Sequence, residues 1–282
     1  MGEKPQTHTG YPPDLAELAH STCLYVATVL GDLIEEITVV GGLVPSLIIP
    51  RGEDASIEVH AGTLDLDLGL AITVFDKSRY QEIAHRLRGA DFTQSTNSKG
   101  RLSRQTWGIN TTQGQRMSLD FLISPTRSDD QPGRLRDLEP DFAAIIIPGL
   151  HLAFQDRQRV ELSGLTLRKE RARKSVWVCG AGAFIVLKAL AFKNRGTPKD
   201  AYDLFYVLKY FGQGVKDVVQ RIQPLLQDPH CTEALSVLRQ DFMEHDATGP
   251  MRVAHFLKGA PDDDIQADVV GFVDTFLNQV TR

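Results

Sequence analysis

The run Thr63-Leu64-Asp65-Leu66-Asp67-Leu68-Gly69-Leu70 constrains this chain more than any other stretch. Its strict alternation reads as a β-strand, in which successive side chains point to opposite faces. Leu64, Leu66 and Leu68 then share one face, and Asp65 and Asp67 share the other. Aspartate is depleted in strands, and carboxylates side by side repel. Two readings of the acidic face carry equal weight at this point: a solvated surface, or a pair of hard oxygen ligands for a divalent cation. Upstream, Thr38-Val39-Val40-Gly41-Gly42 reads as a short strand entering a glycine turn.

A third carboxylate moves the balance. Asp120 lies in another alternating run whose opposite face, Met117, Leu119, Phe121 and Ile123, is strongly apolar. Three carboxylates on neighbouring strands are electrostatically unfavourable without a cation. With Mg²⁺ (or Mn²⁺) they match the arrangement used for in-line attack on a nucleotide phosphate, with two metals about 4 Å apart. Asp65, Asp67 and Asp120 are the expected metal ligands, and Asp120 is also the candidate base. The Gly41-Gly42 turn lets backbone approach a phosphate, and Ser46 in the next turn adds a hydroxyl. Taken alone, Gly-Gly is better explained as a strand-to-helix turn needing positive φ.

The segment Lys188 to Leu204 holds a second set of charges. On a helix Lys188 and Arg195 project from one side, suited to triphosphate oxygens. Gly196 ends that helix, Thr197 caps the next, Pro198 takes its first position, and Asp200 completes a Thr-x-x-Asp capping box. Asp203 lies one turn from Lys199 and Asp200, the spacing of a surface helix pair. A capping role for Asp200 and a surface pair for Asp203 stand beside their functional readings. The basic run Arg168-Lys169-Glu170-Arg171-Ala172-Arg173-Lys174 reads either as a solvated hairpin or as a contact for RNA phosphates. No histidine shows ligand spacing; only His60, three residues before Thr63, falls near the expected site.

Composition sets the outer limits. With 31 basic and 36 acidic residues in 282, the net charge of −5 excludes a generic nucleic-acid coat, so any polyanion contact must be local. Cys23, Cys179 and Cys231 lack metal spacing and read as small buried hydrophobes of a reducing compartment. The first 13 residues form a polar, flexible tail without signal-peptide organisation, and no apolar stretch is long enough to span a bilayer. A cytoplasmic protein with no membrane partner is expected.

The pattern predicts a mixed α/β domain over 14–180 and a helical domain over 181–282. Helices are expected at 14–36, 43–49, 77–87, 183–194, 198–211, 215–226, 231–243 and 265–279, with Asp14 and Asp76 as caps. Strands are expected at 37–40, 63–70, 105–109, 115–123, 143–147, 159–163 and 175–178, with surface loops at 50–62 and 124–140.

The ordered set Gly41-Gly42, Thr63-x-Asp65-x-Asp67, Asp120, Lys188 and Arg195-Gly196-x-Pro198-Lys199-Asp200-x-x-Asp203-Leu204 resembles the AbiEii/AbiGii toxin family. These are bacterial nucleotidyltransferases of the polymerase-β-like superfamily, and the mycobacterial MenT toxins belong with them. The resemblance covers roughly residues 38 to 210. It implies a nucleotidyltransferase-type mixed sheet flanked by helices, a helical C-terminal part, and an NTP held between them. By the same resemblance Asp65 and Asp67 bind the metal, Lys188 binds the triphosphate, and Asp200 or Asp203 completes a nucleotide pocket that also includes Arg195 and Lys199. The chain departs from the superfamily in having Gly41-Gly42 where many members carry Gly-Ser. The implied activity is transfer of NMP to the 3′ end of tRNA, as the toxin of a toxin–antitoxin or abortive-infection pair with a cognate antitoxin protein. Two other readings remain open: transfer to a protein or small-molecule hydroxyl, and a catalytically inactive binding protein of the same fold.

Overall fold

A computed structural model describes residues 5–11, 14–49, 57–71, 77–96, 100, 102–111 and 114–281. The chain is a mixed α/β protein that divides into two compact units. One comprises Asp14–Val44 and Gly62–Cys179; the other comprises Gly180–Arg282 together with the described parts of Glu3–Pro13 and Pro45–Ala61. The expected cap Asp76, most of the loop from Pro50, and two residues of the Asn110–Gly114 turn lie outside the described residues.

The first unit begins with helix α1 (Asp14–Leu30), whose first turn carries Asp14 and Glu17 where the helix dipole favours negative charge. The helix was expected to run to Glu36. It stops instead at Gly31, where φ of +57° breaks the α-helical ladder, and Gly31–Glu36 tightens into a 3-10 turn. Strand β1 (Ile37–Val40) follows as expected, then a 3-10 turn at Gly41–Leu43 and the short helix α2 (Val44–Ile48).

Strand β2 (Asp65–Leu70), helix α3 (Lys77–Gly89), and strands β3 (Thr93–Thr96), β4 (Leu102–Asn110) and β5 (Arg116–Ile123) come next. Strands β6 (Leu135–Glu139) and β7 (Phe142–Ile146), the single turn α4 (Leu152–Gln155), and strands β8 (Arg157–Leu165) and β9 (Arg171–Cys179) complete the unit. The sheet order is β3-β4-β5-β2-β1-β9-β8, with β7 joined to β5 and β6 to β7. Pairing is parallel for β2–β5, β1–β9 and β5–β7 and antiparallel elsewhere. The predicted β4–β5 hairpin is present. Strand β6 falls inside the segment expected as loop, because its inward side chains are polar: buried Arg136 pairs with Asp130.

Alternation places the core. Leu66 and Leu68 face Leu119 and Phe121 across β2 and β5, all fully buried. Phe142 stands edge-on to Phe121, and Tyr80 of α3 lies against Phe142. Helix α1 packs against β2, β8 and β9. All three cysteines are buried, as expected, and none forms a disulfide; burial pushes the Cys23 thiol up to about 12.

The second unit is helical: α5 (Ala181–Arg195), α6 (Pro198–Tyr210), α7 (Val215–Ile222), α8 (Pro229–Asp241), α9 (Thr248–Lys258) and α10 (Asp263–Val280). Helix α9 was not expected, because Gly249-Pro250 reads as a breaker. Pro250 sits in the first turn, where its missing N–H costs nothing, and Gly249 lies so close to the Phe242 ring that a Cβ would collide with it. The tilted pairs Phe192–Phe242 and Tyr202–Phe256 and the edge-on pair Phe205–Phe272 tie the helices together. The N-terminal segment is not a loose tail over residues 5–11. His8–Gly10 forms a 3-10 turn, and buried Tyr11 packs on Phe256. No helix among the described residues is long and apolar enough to cross a membrane.

Truncating Leu66 to Ala should lower stability by about 2–5 kcal/mol, because a fully buried side chain leaves a cavity in the middle of the sheet. Urea unfolding monitored by circular dichroism should show a lower midpoint with an unchanged slope.

Candidate functional site

In the first unit the sheet register assembles the three aspartates. Asp67 and Asp120 are direct partners on the parallel strands β2 and β5, and Asp65 pairs with Ser118 one position along the same face. Asp65 and Asp120 are buried, and Asp67 is half-buried. Thr106 of β4, the antiparallel partner of Asp120, donates its hydroxyl to Asp120 Oδ1 at 2.6 Å. Thr63 closes a local turn at the strand entrance, its hydroxyl meeting the Asp65 carbonyl at 3.1 Å. The donors are all oxygen, the chemistry that suits a hard divalent cation.

The glycine turn is explained by these same residues. Gly41 has φ of +72°, as the bland reading of Gly-Gly required, and a Cβ there would run into the Asp67 carboxylate. A Cβ on Gly42 would lie 2.9 Å from Thr63 Oγ1. The two glycines thus let the turn close on the aspartate strand.

In the second unit a different cluster forms around two buried carboxylates on α6. Lys188 of α5 reaches both, at 3.1 Å to Asp200 Oδ1 and 2.7 Å to Asp203 Oδ2. Arg195 lies 2.8 Å from Asp200 Oδ1, so Lys188 and Arg195 do project from one side of their helix, as expected. Lys199 pairs with Asp203. The expected capping box takes another form: Thr197 donates its hydroxyl to Asp200 Oδ2 at 2.6 Å and makes no side-chain bond to backbone. The carboxylate of Asp200 is turned to the cations instead.

Asp203 is not half of a surface pair; it is fully buried. Its third partner is His60, whose Nε2 lies 2.8 Å from Asp203 Oδ1. A carboxylate only accepts, so His60 Nε2–H donates and Nδ1 is left to accept the Ser46 hydroxyl at 3.2 Å. Ser46, expected beside the glycine turn as a phosphate contact, therefore bonds to His60. Tyr202 stacks on the imidazole at 5.4 Å, and its hydroxyl accepts the Ala61 N–H at 3.2 Å. The sequence places His60 only near the expected site, and no spacing rule finds its pairing, because Asp203 is 143 positions away.

Burial works against every charge here, and the carboxylates decide the outcome. Lys188 is desolvated, yet Asp203 and Asp200 together hold its pKa above the ordinary lysine value. Lys199 is also desolvated, and burial together with the like charge of Lys188 outweighs Asp203 and Asp200, so its pKa falls. Both aspartates are held below the usual carboxylate range by the cations, Asp203 the more strongly. Burial, then the charge of Lys199, pushes His60 down to about 4.

No protein-family model matches this chain, and no curated protein matches its sequence.

Replacing Asp203 by Ala leaves two buried ammonium groups short of a partner and should cost about 3–5 kcal/mol, measured by denaturant unfolding. His60 generates a separate pH signature. The unfolded imidazole takes up a proton near pH 6.5 while the folded one stays neutral to about pH 4. Stability should therefore fall as pH drops through that window, by roughly 1–3 kcal/mol. His60→Gln, which keeps a donor for Asp203, should flatten the curve between pH 6.5 and 4 while leaving the steeper loss from the two aspartates at lower pH.

Proposed function

We propose that the chain is a metal-dependent nucleotidyltransferase that moves NMP from an NTP to an acceptor hydroxyl and releases pyrophosphate. The observation that supports it most is the register of β2 and β5, which brings Asp67 beside Asp120 with Asp65 on the same face. Asp65 and Asp67 would hold a divalent cation such as Mg²⁺, with Asp120 as a further ligand, and the bound ion would neutralise phosphate charge. Asp120, oriented by Thr106, takes the proton of the acceptor hydroxyl as its oxygen attacks the α-phosphorus and the bond to the β-phosphate breaks. By the motif resemblance Lys188, Arg195 and Lys199 are the groups proposed for the triphosphate, and within their own unit Asp200 and Asp203 hold those side chains in fixed orientation.

The proposed acceptor is RNA, most specifically the 3′ end of tRNA, and the proposed biological role is that of a toxin restrained by an antitoxin. Both rest on the motif resemblance together with the concentration of positive charge near residue 170.

Incubating the full chain with each α-labelled NTP, Mg²⁺ and total tRNA should label RNA. Label on protein instead would favour a protein acceptor, and absence of any transfer would favour the binding-protein reading. Asp65→Asn should reduce transfer by at least 100-fold, the order expected when a group acting at the transition state is removed, with unfolding stability within about 1 kcal/mol of wild type. Full activity in that variant would remove the metal assignment. Induction of the wild-type chain, but not of Asp65→Asn, should arrest growth of a bacterial host.

A further inference from the structure

Seven basic and two acidic residues fall between 157 and 174, in a chain whose formal net charge is −5. They lie on the β8–β9 hairpin, which pairs along its whole length from Arg157↔Cys179 to Leu165↔Arg171. Only Trp177 and Val178 of β9 also pair with β1, so the half from Glu161 to Ser175 continues past the sheet as a two-stranded ribbon. Strand β8 is the sheet edge.

The register separates the two faces of that ribbon. Val160, Leu162 and Val176 share the face on which α1 packs. Arg159, Arg171, Arg173 and Trp177 share the opposite face. Trp177 organises its neighbours: the guanidinium carbons of Arg157 and Arg159 lie 4.2 and 4.3 Å from its ring centroid. A guanidinium held against an indole loses less freedom when it binds a phosphate. Two acids meet this face, Glu35 with Arg159 and Glu161 with Arg173, each pair largely exposed. Such pairs are worth roughly 0–1 kcal/mol and yield readily to a polyanion.

The face also has an address. Trp177 is the partner of Thr38, Thr38 of Gly69, and Gly69 lies two and four residues from Asp67 and Asp65 on one side of β2. The arginine ribbon and the carboxylates therefore share a sheet face, with Asp67 and Arg157 three strand spacings apart, about 14 Å. We infer that this ribbon face is a docking surface for single-stranded RNA, which holds the unpaired segment next to the acceptor end. The role of that RNA as acceptor rests on the nucleotidyltransferase reading; the binding itself does not. A flat strand surface with ring-held arginines suits unpaired nucleotides better than duplex, whose grooves are read by shape. A lipid surface fits poorly, because Leu165 is the one exposed large apolar side chain on the ribbon among the described residues.

The test is fluorescence anisotropy of the full chain with a short labelled oligouridylate, in EDTA so that metal and transfer play no part, over a range of salt. The double variant Arg171→Glu/Arg173→Glu, both exposed, should bind at least about tenfold more weakly, with a log K against log salt slope shallower by about 1.4 for two lost phosphate contacts. Trp177→Leu should weaken binding several-fold with little change of slope, and Trp177→Phe should restore most of it. Wild-type affinity and slope in the double variant would overturn the proposal. So would failure of the wild type to bind RNA, or displacement of the RNA by polyglutamate at equal charge concentration. Failure of the wild type to bind RNA with metal-dependent pyrophosphate release intact would sink the ribbon alone; intact wild-type binding with no transfer to any acceptor would sink the enzymatic reading alone.

Discussion

Burial of Leu66 and Leu68 determines where the aspartates of β2 point. The strand is central, bounded by β1 and β5, and its apolar side chains meet Leu119 and Phe121 in the core. With a side-chain period of two, a slip of one residue would send both carboxylates into that core and both leucines out of it. The hydrophobic effect thus sets the register, and the register brings Asp67 beside Asp120. Nothing in the acidic pair itself favours that arrangement. The apolar face fixes the geometry, and the carboxylates are positioned by it.

The helical unit solves a different electrostatic problem. Two aspartates and three cations are held together, four of the five side chains well buried, and each carboxylate is shared between cations. Desolvating so many charges is expensive, and apolar side chains of similar volume would often be as stable. What the cluster supplies is a fixed arrangement with more positive than negative charge, anchored by the neutral imidazole of His60. That excess is what an anion-binding role would need.

Much of this was legible where local pattern and tertiary environment agree. The alternation in β2 and β5, the glycine turn after β1, and the convergence of Lys188 and Arg195 are properties of single elements. The misses share a cause. For Asp203 a surface pair stands beside the functional reading because helical spacing sees only Lys199 and Asp200 on the same helix. Its burial comes from Lys188 and from His60, which reaches it from a distant segment. Strand β6 was hidden because buried Arg136 is satisfied by Asp130, so an inward position carries a charge. Helix α9 was hidden because Gly249 serves contact with Phe242 rather than a turn.

The assignment of Pro45–Ala61 to the helical unit has a consequence for how the chain is made. The polypeptide leaves the first unit after Val44 and re-enters it at Gly62. During synthesis His60 emerges long before Lys188, Asp200 and Asp203, so its polar partners do not yet exist. Glu58, whose carbonyl accepts the Tyr206 hydroxyl, waits likewise. His60 and Glu58 gain these partners only once α6 is complete, and neither unit corresponds to a contiguous stretch that a ribosome could finish before beginning the other.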